Sequence, residues 1–207
     1  MPRPRTPILD PNTIARAALD ALDSDGSFTM PGVAKRLNVA VSSLYHHVAS
    51  REQLLELIRG VIAEELSVSI EWPEDWRDVV REWLIGYRAG FGAHPELVRA
   101  LTAQTVRAPE VLRGYDRLAQ KLVDAGFPID RVLHVITFLD TIALGSALDV
   151  GAPEEVWSAD GVAADSALGR ALSAAPTGRV RADEAFELTV DLAVIGLETE
   201  LARVSQN

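Results

Sequence analysis

Apolar residues recur at intervals of three and four along almost the whole chain, and alternation at every second residue is nearly absent. A chain patterned this way buries its apolar surface by packing helix against helix. The expected fold class is therefore all-α. Of the 207 residues, 48% are hydrophobic, enough to fill a real core. No uninterrupted apolar run reaches the roughly 18 residues of a membrane span. The opening MPRPRTPILD lacks the apolar segment of a secretory signal. Cysteine is absent, which removes disulfides, thiolate metal sites and thiol nucleophiles. These features predict a cytoplasmic protein with no membrane partner.

Punctuation divides the pattern into helices. Asp10-Pro11 predicts a helix start, with Asp as N-cap and Pro in the first turn. Ile14, Ala18, Leu19 and Leu22 share one face, and Asp25-Gly26 ends the helix. Thr29 is positioned to cap a second, short helix with Val33, Ala34 and Leu37 facing inward. Asn38 suits a left-handed turn, and a third short helix is expected from Val41 to His47. Ser50-Arg51-Glu52-Gln53 has the form of a capping box. It opens a longer helix carrying Leu54, Leu55, Ile58, Ile62 and Leu66. Trp72-Pro73-Glu74-Asp75 breaks the chain, and the domain boundary is placed at 67–74. Residues 1–66 and 67–207 are thus read as two domains.

The second domain opens with an amphipathic stretch holding Trp76, Val79, Val80, Trp83, Leu84, Tyr87 and Phe91. A short helix follows His94-Pro95, and another runs from about 109 to 125 into Gly126-Phe127-Pro128, a glycine C-cap signal. Residues 129–150 are apolar on nearly all sides, so this helix is buried or shared with a second chain. Residues 151–181 read as a loop with a helical turn or more near 163–172. A last helix is expected over 182–203.

Charge follows the same division. Residues 1–60 carry seven cationic and six acidic side chains, against thirteen and twenty-four beyond them. The C-terminal part therefore carries −11 and the N-terminal part +1, which together give the net charge of −10. The C-terminal part is disfavoured as a DNA surface, whereas the N-terminal part tolerates phosphate.

The string TMPGVAKRLNVAVSSLYHHVASR, Thr29 to Arg51, carries the chemistry. A short helix, a three- or four-residue turn and a second short helix is the geometry that lays the second helix in the major groove. Val41, Ser42, Ser43, His46 and His47 supply a small or polar outward face; Leu44 and Val48 supply the buried one. Tyr45 offers a hydroxyl at the rim, Thr29 a hydroxyl and backbone N–H groups, and Arg51 a cation. Arg3 and Arg5 form a candidate arm. His46 and His47 are adjacent and point about 100° apart, which argues against a metal site. The chain shows no Gly-rich phosphate loop, paired catalytic carboxylates or nucleophile elbow, so neither an enzyme nor a cofactor is expected.

The segments VAKRLNV and SSLYHHVASREQLL resemble the TetR family of repressors, over about residues 10–66. The likeness continues more weakly through WRDVVREWLIGYR, the DAGF turn and TIALGSALD, which are similar to the tetracycline-repressor type of C-terminal domain. The resemblance implies a three-helix DNA-binding head on a helical ligand-binding and dimerisation bundle. It assigns DNA contact to Thr29, Ser43, Tyr45, His47 and Arg51. It also implies a dimer interface built from the helices near 129–150 and 182–203. The chain departs from the pattern at Ala40, where the family often has a Ser cap. It departs at Pro31 and Val41 as well, where the tetracycline repressor reads bases with Arg and Gln. Thr102, Trp83 and Leu118 stand where that repressor has its metal-binding His, an Asn and a Gln, which weighs against a magnesium–tetracycline ligand.

The expected function is a repressor that binds a palindromic double-stranded DNA operator as a homodimer and is released by a small, mostly apolar effector. The candidate effector residues are Trp83, Tyr87, Thr102, Thr105, Tyr115, Leu118, His134 and Phe138. They combine aromatic rings with a few placed polar groups, as small-molecule sites do. The alternative is a helix-turn-helix regulator without an effector, controlled by a protein partner or by abundance.

Overall fold

A computed structural model describes residues 9–69 and 71–204; Arg3 and Arg5 lie outside the described residues. Every regular element among the described residues is a helix: α1 (Pro11–Asp25), α2 (Met30–Arg36), α3 (Val41–Tyr45), α4 (Arg51–Ser69), α5 (Trp76–Gly92), α6 (Pro95–Leu101), α7 (Pro109–Asp124), α8 (Ile129–Asp149), α9 (Ala167–Ala174) and α10 (Gly178–Val204). The chain divides into two compact units. One comprises Met1–Ser69 with His94–Arg117; the other comprises Ile70–Ala93 with Leu118–Asn207. The first unit therefore includes α6 and the start of α7 as well as the N-terminal helices.

In the first unit, α1 packs on α4, and α6 packs on both. Ile14, Ala18 and Leu22 of α1 meet Leu54, Leu55, Ile58 and Ile62 of α4 and Leu97 and Val98 of α6 in one core. Asp10 caps α1 as its sequence signals: its carboxylate accepts from the Thr13 N–H at 2.9 Å and from the Thr13 hydroxyl at 2.8 Å. These bonds hold the Asp10 carboxyl below the ordinary aspartate value. The cap is therefore present at neutral pH and fades as acid protonates it. Gly26 closes the helix at φ 72°. The Ser50 capping box forms with a shift. The Gln53 N–H donates to Ser50 Oγ at 3.2 Å, but the Gln53 side chain accepts from the Ala49 N–H, one residue earlier than the standard box. His94, at the N-cap position of α6, makes no cap bond; its Nδ1 lies 2.7 Å from Asp23 Oδ2.

The second unit packs α5 against α8, with α10 across both. Leu122, Phe127, Val132, Val135, Leu139, Phe186 and Val190 are buried here. The Gly126 signal closes α7: Phe127 N–H bonds Leu122 O at 3.1 Å, Gly126 N–H bonds Val123 O at 2.9 Å, and Gly126 sits at φ 102°. That double bond is a Schellman cap, and Phe127 completes it by packing edge-on against Trp76 at 5.5 Å.

Two expectations are corrected. Within residues 151–181 the expected helical turns form as α9, but the last helix starts at Gly178 rather than near 182. The segment is tied down by polar contacts that composition does not advertise. Thr177 Oγ1 donates to Glu154 at 2.8 Å, and Arg181 forks onto Asp149 at 2.8 and 3.0 Å. The second correction concerns α8, which by length and composition could cross a membrane, with a third of its most apolar window buried. Uninterrupted runs missed it because Asp140 and scattered Thr, Gly and Ser break the run while the average stays apolar.

Candidate nucleic-acid interface

The α2–turn–α3 unit is held by a second Schellman cap. Val39 N–H bonds Ala34 O at 3.0 Å and Asn38 N–H bonds Lys35 O at 3.2 Å. Asn38 occupies the position that usually takes glycine, at φ 54°. Its short polar side chain is what an L-residue needs there. Asn38→Val is expected to cost about 1–2 kcal/mol, and Asn38→Gly to be within a few tenths of wild type. Urea denaturation of both variants measures the difference.

α3 is only five residues long, and Ala40 supplies no side-chain cap, as the sequence indicates. It ends at Tyr45, two residues short of expectation. Its position comes from below: Leu44 and Val48 are fully buried. Pinning these two turns Ser42, Tyr45 and His46 outward at the spacing of one helix face. Tyr45 is 51% exposed. Val41 and Ser43 are half-buried, and His47 is exposed just past the helix end.

Thr29 is exposed and caps α2, its hydroxyl oxygen accepting from Gly32 N–H at 3.1 Å. The hydroxyl hydrogen remains available to a phosphate oxygen. The backbone contribution is smaller than expected, because Gly32 N–H is used by the cap and Pro31 has no N–H. Arg51 lies at the start of α4 with its guanidinium 4.9 Å over the ring of buried Phe28. That contact fixes the cation without neutralising it.

Ion pairing sorts the remaining cations. Arg36 is bound to Asp25 at 2.7 Å, Arg16 to Glu65 at 2.9 Å and Arg59 to Glu56 at 2.9 Å. Among the described residues of the α1–α4 segment, Arg51 and Lys35 make no ion pair within 4 Å, though Arg51 feels the adjacent Glu52 carboxylate. Lys35 is exposed at the end of α2, outside the residues that the motif singles out. The signal was present: positions 31, 32, 38 and 39 hold no acid that could pair with it along a helix.

The candidate effector residues do not share one environment. Trp83, Tyr87 and Leu118 are buried, and the Trp83 and Tyr87 rings stack with centroids 4.4 Å apart at 23°. Trp72 meets Trp83 edge-on at 6.2 Å. Phe138 is 42% exposed, and His134 is exposed with Nδ1 3.1 Å from Asp130 O. Thr102 is exposed and donates to Arg99 O at 3.2 Å. Tyr115 is half-buried, and Thr105 lines a cleft in the first unit.

A short helix pinned by two buried residues, with a polar outward face and unneutralised cations at its edges, defines a helix-turn-helix regulator carrying a second helical unit. Residues 71–201 match the model of the tetracyclin repressor-like C-terminal domain. The chain belongs to the TetR family of transcriptional regulators. It is 28% identical over 153 residues to an HTH-type transcriptional regulator of Saccharopolyspora erythraea, covering 73% of this chain and 63% of that protein. It is 28% identical over 152 residues to the class A tetracycline repressor of transposon 1721 from Escherichia coli, covering 68% of this chain and 67% of that one. The structure of apo ActR from Streptomyces coelicolor has the same fold, with TM-score 0.79, 24% identity and coverage of 95% of this chain and 98% of ActR. ActR has also been solved with actinorhodin.

Proposed function

We propose that the protein is a cytoplasmic, ligand-responsive repressor that binds a palindromic double-stranded DNA operator as a homodimer and releases it on binding a small, mostly apolar effector. The observation that carries DNA recognition is the outward face of α3, set by buried Leu44 and Val48. Ser42, His46 and His47, with Val41 and Ser43 beside them, read base edges; Thr29, Lys35, Tyr45 and Arg51 hold phosphates. One five-residue helix reaches few base pairs. Two copies about 34–36 Å apart read a palindrome.

The second copy has a face to occupy. On α10, Leu188, Leu192 and Ile195 are 60%, 57% and 57% exposed; on α8, Ile129 and Leu133 are 77% and 72% exposed. The hydroxyls of Thr137, Thr141 and Thr199 bond carbonyls of their own helices, so these residues can be buried without losing a partner. Gly145 and Gly196 have open space where a Cβ would be, room for a partner helix to approach closely. Four helices, two from each copy, make the bundle.

The effector is assigned to the aromatic cluster of Trp83 and Tyr87, with Leu118, His134 and Phe138 of the same unit; Thr102, Thr105 and Tyr115 belong to the first unit and are left out of this assignment. Support comes from ActR, a protein of the same fold that has been solved with actinorhodin. The close Trp83–Tyr87 stack favours a second reading, in which this core is filled and regulation needs no effector. Selection of bound DNA from a random pool, with and without a panel of apolar compounds, separates the two. Palindromic enrichment lost with some compound supports the first reading. Enrichment that no compound alters, with unchanged Trp fluorescence, supports the second, and no enrichment removes both.

Lys35→Ala and Arg51→Ala are each expected to weaken binding for all sequences alike. Each should reduce the magnitude of the log K against log[salt] slope by about 1.8, one phosphate per head in a dimer. Arg36→Ala, already paired with Asp25, should change the slope much less.

A further inference from the structure

We propose that a cleft in the first unit, between α1, α4 and the α6–α7 connection, binds an amphipathic organic cation. The cleft has a volume of about 670 Å³, the size of a small-molecule site. Its floor is apolar, formed by Pro11 and Ala15 of α1 with Leu57 and Val61 of α4. Its rim is acidic.

The acid follows from the register of α4. Positions 52, 56, 60 and 64 fall one turn apart on a single row, and they read Glu, Glu, Gly, Glu. All four line the cleft, and Glu110 at the start of α7 lines it from the facing wall. Arg107 is the one cation in the lining. Like charges a turn apart weaken a helix, so this row is unfavourable for α4 alone. Gly60 in its middle is unfavourable too, and no tight packing demands it: the nearest atoms a Cβ there would meet are those of the Glu110 carboxyl, at 3.7–3.9 Å, ordinary contact distances. Both features keep the cleft hollow and negative.

The carboxylates divide the work. Glu56 is committed to structure. Its Oε2 accepts from the backbone N–H groups of Arg107 and Ala108 at 2.7 and 2.9 Å, and its Oε1 accepts from Arg59 at 2.9 Å. This fixes the wall opposite α4. Glu52 is kept ionised by its own backbone N–H and the Ser50 hydroxyl, which hold its carboxyl below the ordinary value. Glu110 has no ion-pair partner among the described residues. Low-dielectric walls focus the field of these charges into the cleft. An ammonium or phosphonium group at the rim, with an apolar body on Leu57 and Val61, satisfies both halves of the lining. An anion of the same shape does not. The site shares Thr105 with the candidate effector residues and otherwise rests on observations separate from the Trp83–Tyr87 reading above. It also lies on the helix that follows directly from the recognition segment, so occupancy bears on the helix that carries Arg51.

The test uses the full chain and two probes of one shape and opposite charge, tetraphenylphosphonium and tetraphenylborate. Titration calorimetry should show the phosphonium binding at least about tenfold more tightly. Glu52→Gln and Glu110→Gln should each weaken it about threefold to tenfold. Gly60→Leu, which improves the helix and fills the hollow, should abolish it while circular dichroism and the melting curve show a folded protein. Because a tetrahedral probe tests shape as well as charge, 4-phenylbutylammonium and 4-phenylbutanol form a second pair, and the amine should bind more tightly. The proposal is overturned if neither cation binds, if charge makes no difference in either pair, or if binding survives Gly60→Leu and both Glu substitutions.

Discussion

Leu188→Asp combined with Leu192→Asp is expected to give a folded monomer that no longer binds its operator. Both side chains are about 60% exposed in the single chain, so the chain's own core loses little. In a dimer each would be buried, and burying a leucine is worth about 1.5–3 kcal/mol. The double substitution removes four such residues across a two-fold interface and adds four charges to it. A loss of at least about 6 kcal/mol raises the dimer dissociation constant by more than about 10⁴. Operator affinity falls with it, because a single head retains only one half-site. Sedimentation velocity reads the mass, and circular dichroism reads the fold. A variant that sediments as wild type would remove α8 and α10 from the interface.

Leu44→Ala is the second large effect, and it acts by a different route. Leu44 is fully buried and is one of two anchors that hold α3. A five-residue helix without a side-chain cap has no stability of its own. Truncation should cost about 3 kcal/mol through lost burial and the cavity left behind. The cost falls on the segment that must present Ser42, Tyr45 and His46 together. DNA binding should drop more than tenfold while the second unit, which contains no part of α3, keeps its helicity. Tyr45→Phe serves as the contrast: with 51% exposure it should leave stability unchanged and remove only the phosphate contact proposed for its hydroxyl. Amide exchange over residues 38–50 distinguishes a loosened recognition helix from a merely weakened contact.

Much of this was legible along the chain, because the signals were local. Asp10, Thr29, Ser50 and Gly126 act on N–H and C=O groups within a few residues of themselves, so capping could be read without knowing the fold. Asn38 belongs with them: a left-handed turn is a property of one residue and its neighbours. Helix α3 and its buried side were legible as well, since Leu44 and Val48 mark that side and the outward residues follow from the helical period.

What escaped the sequence depends on partners far along the chain. Arg36 and Lys35 are adjacent cations, yet Asp25 neutralises one and leaves the other without an ion pair among the described residues. The order of 151–181 rests on Glu154 meeting Thr177 and on Asp149 meeting Arg181, pairs that no short-range rule connects. The acidic row of α4 was visible as spacing, but only the packing of α1 and the α6–α7 connection around Gly60 makes it the rim of a cleft. The candidate effector residues show the same limit: their types suggested a pocket, whereas their burial differs from one to the next.

The all-helical class, the helix ends and the polar outward face of α3 were thus determined by the sequence itself, through apolar periodicity and capping, which act over one or two turns. Which cations stay unpaired, which apolar faces stay open on α8 and α10, and where a cavity remains were decided only by tertiary structure. Burial and ion pairing depend on distances between residues that the chain alone does not bring together.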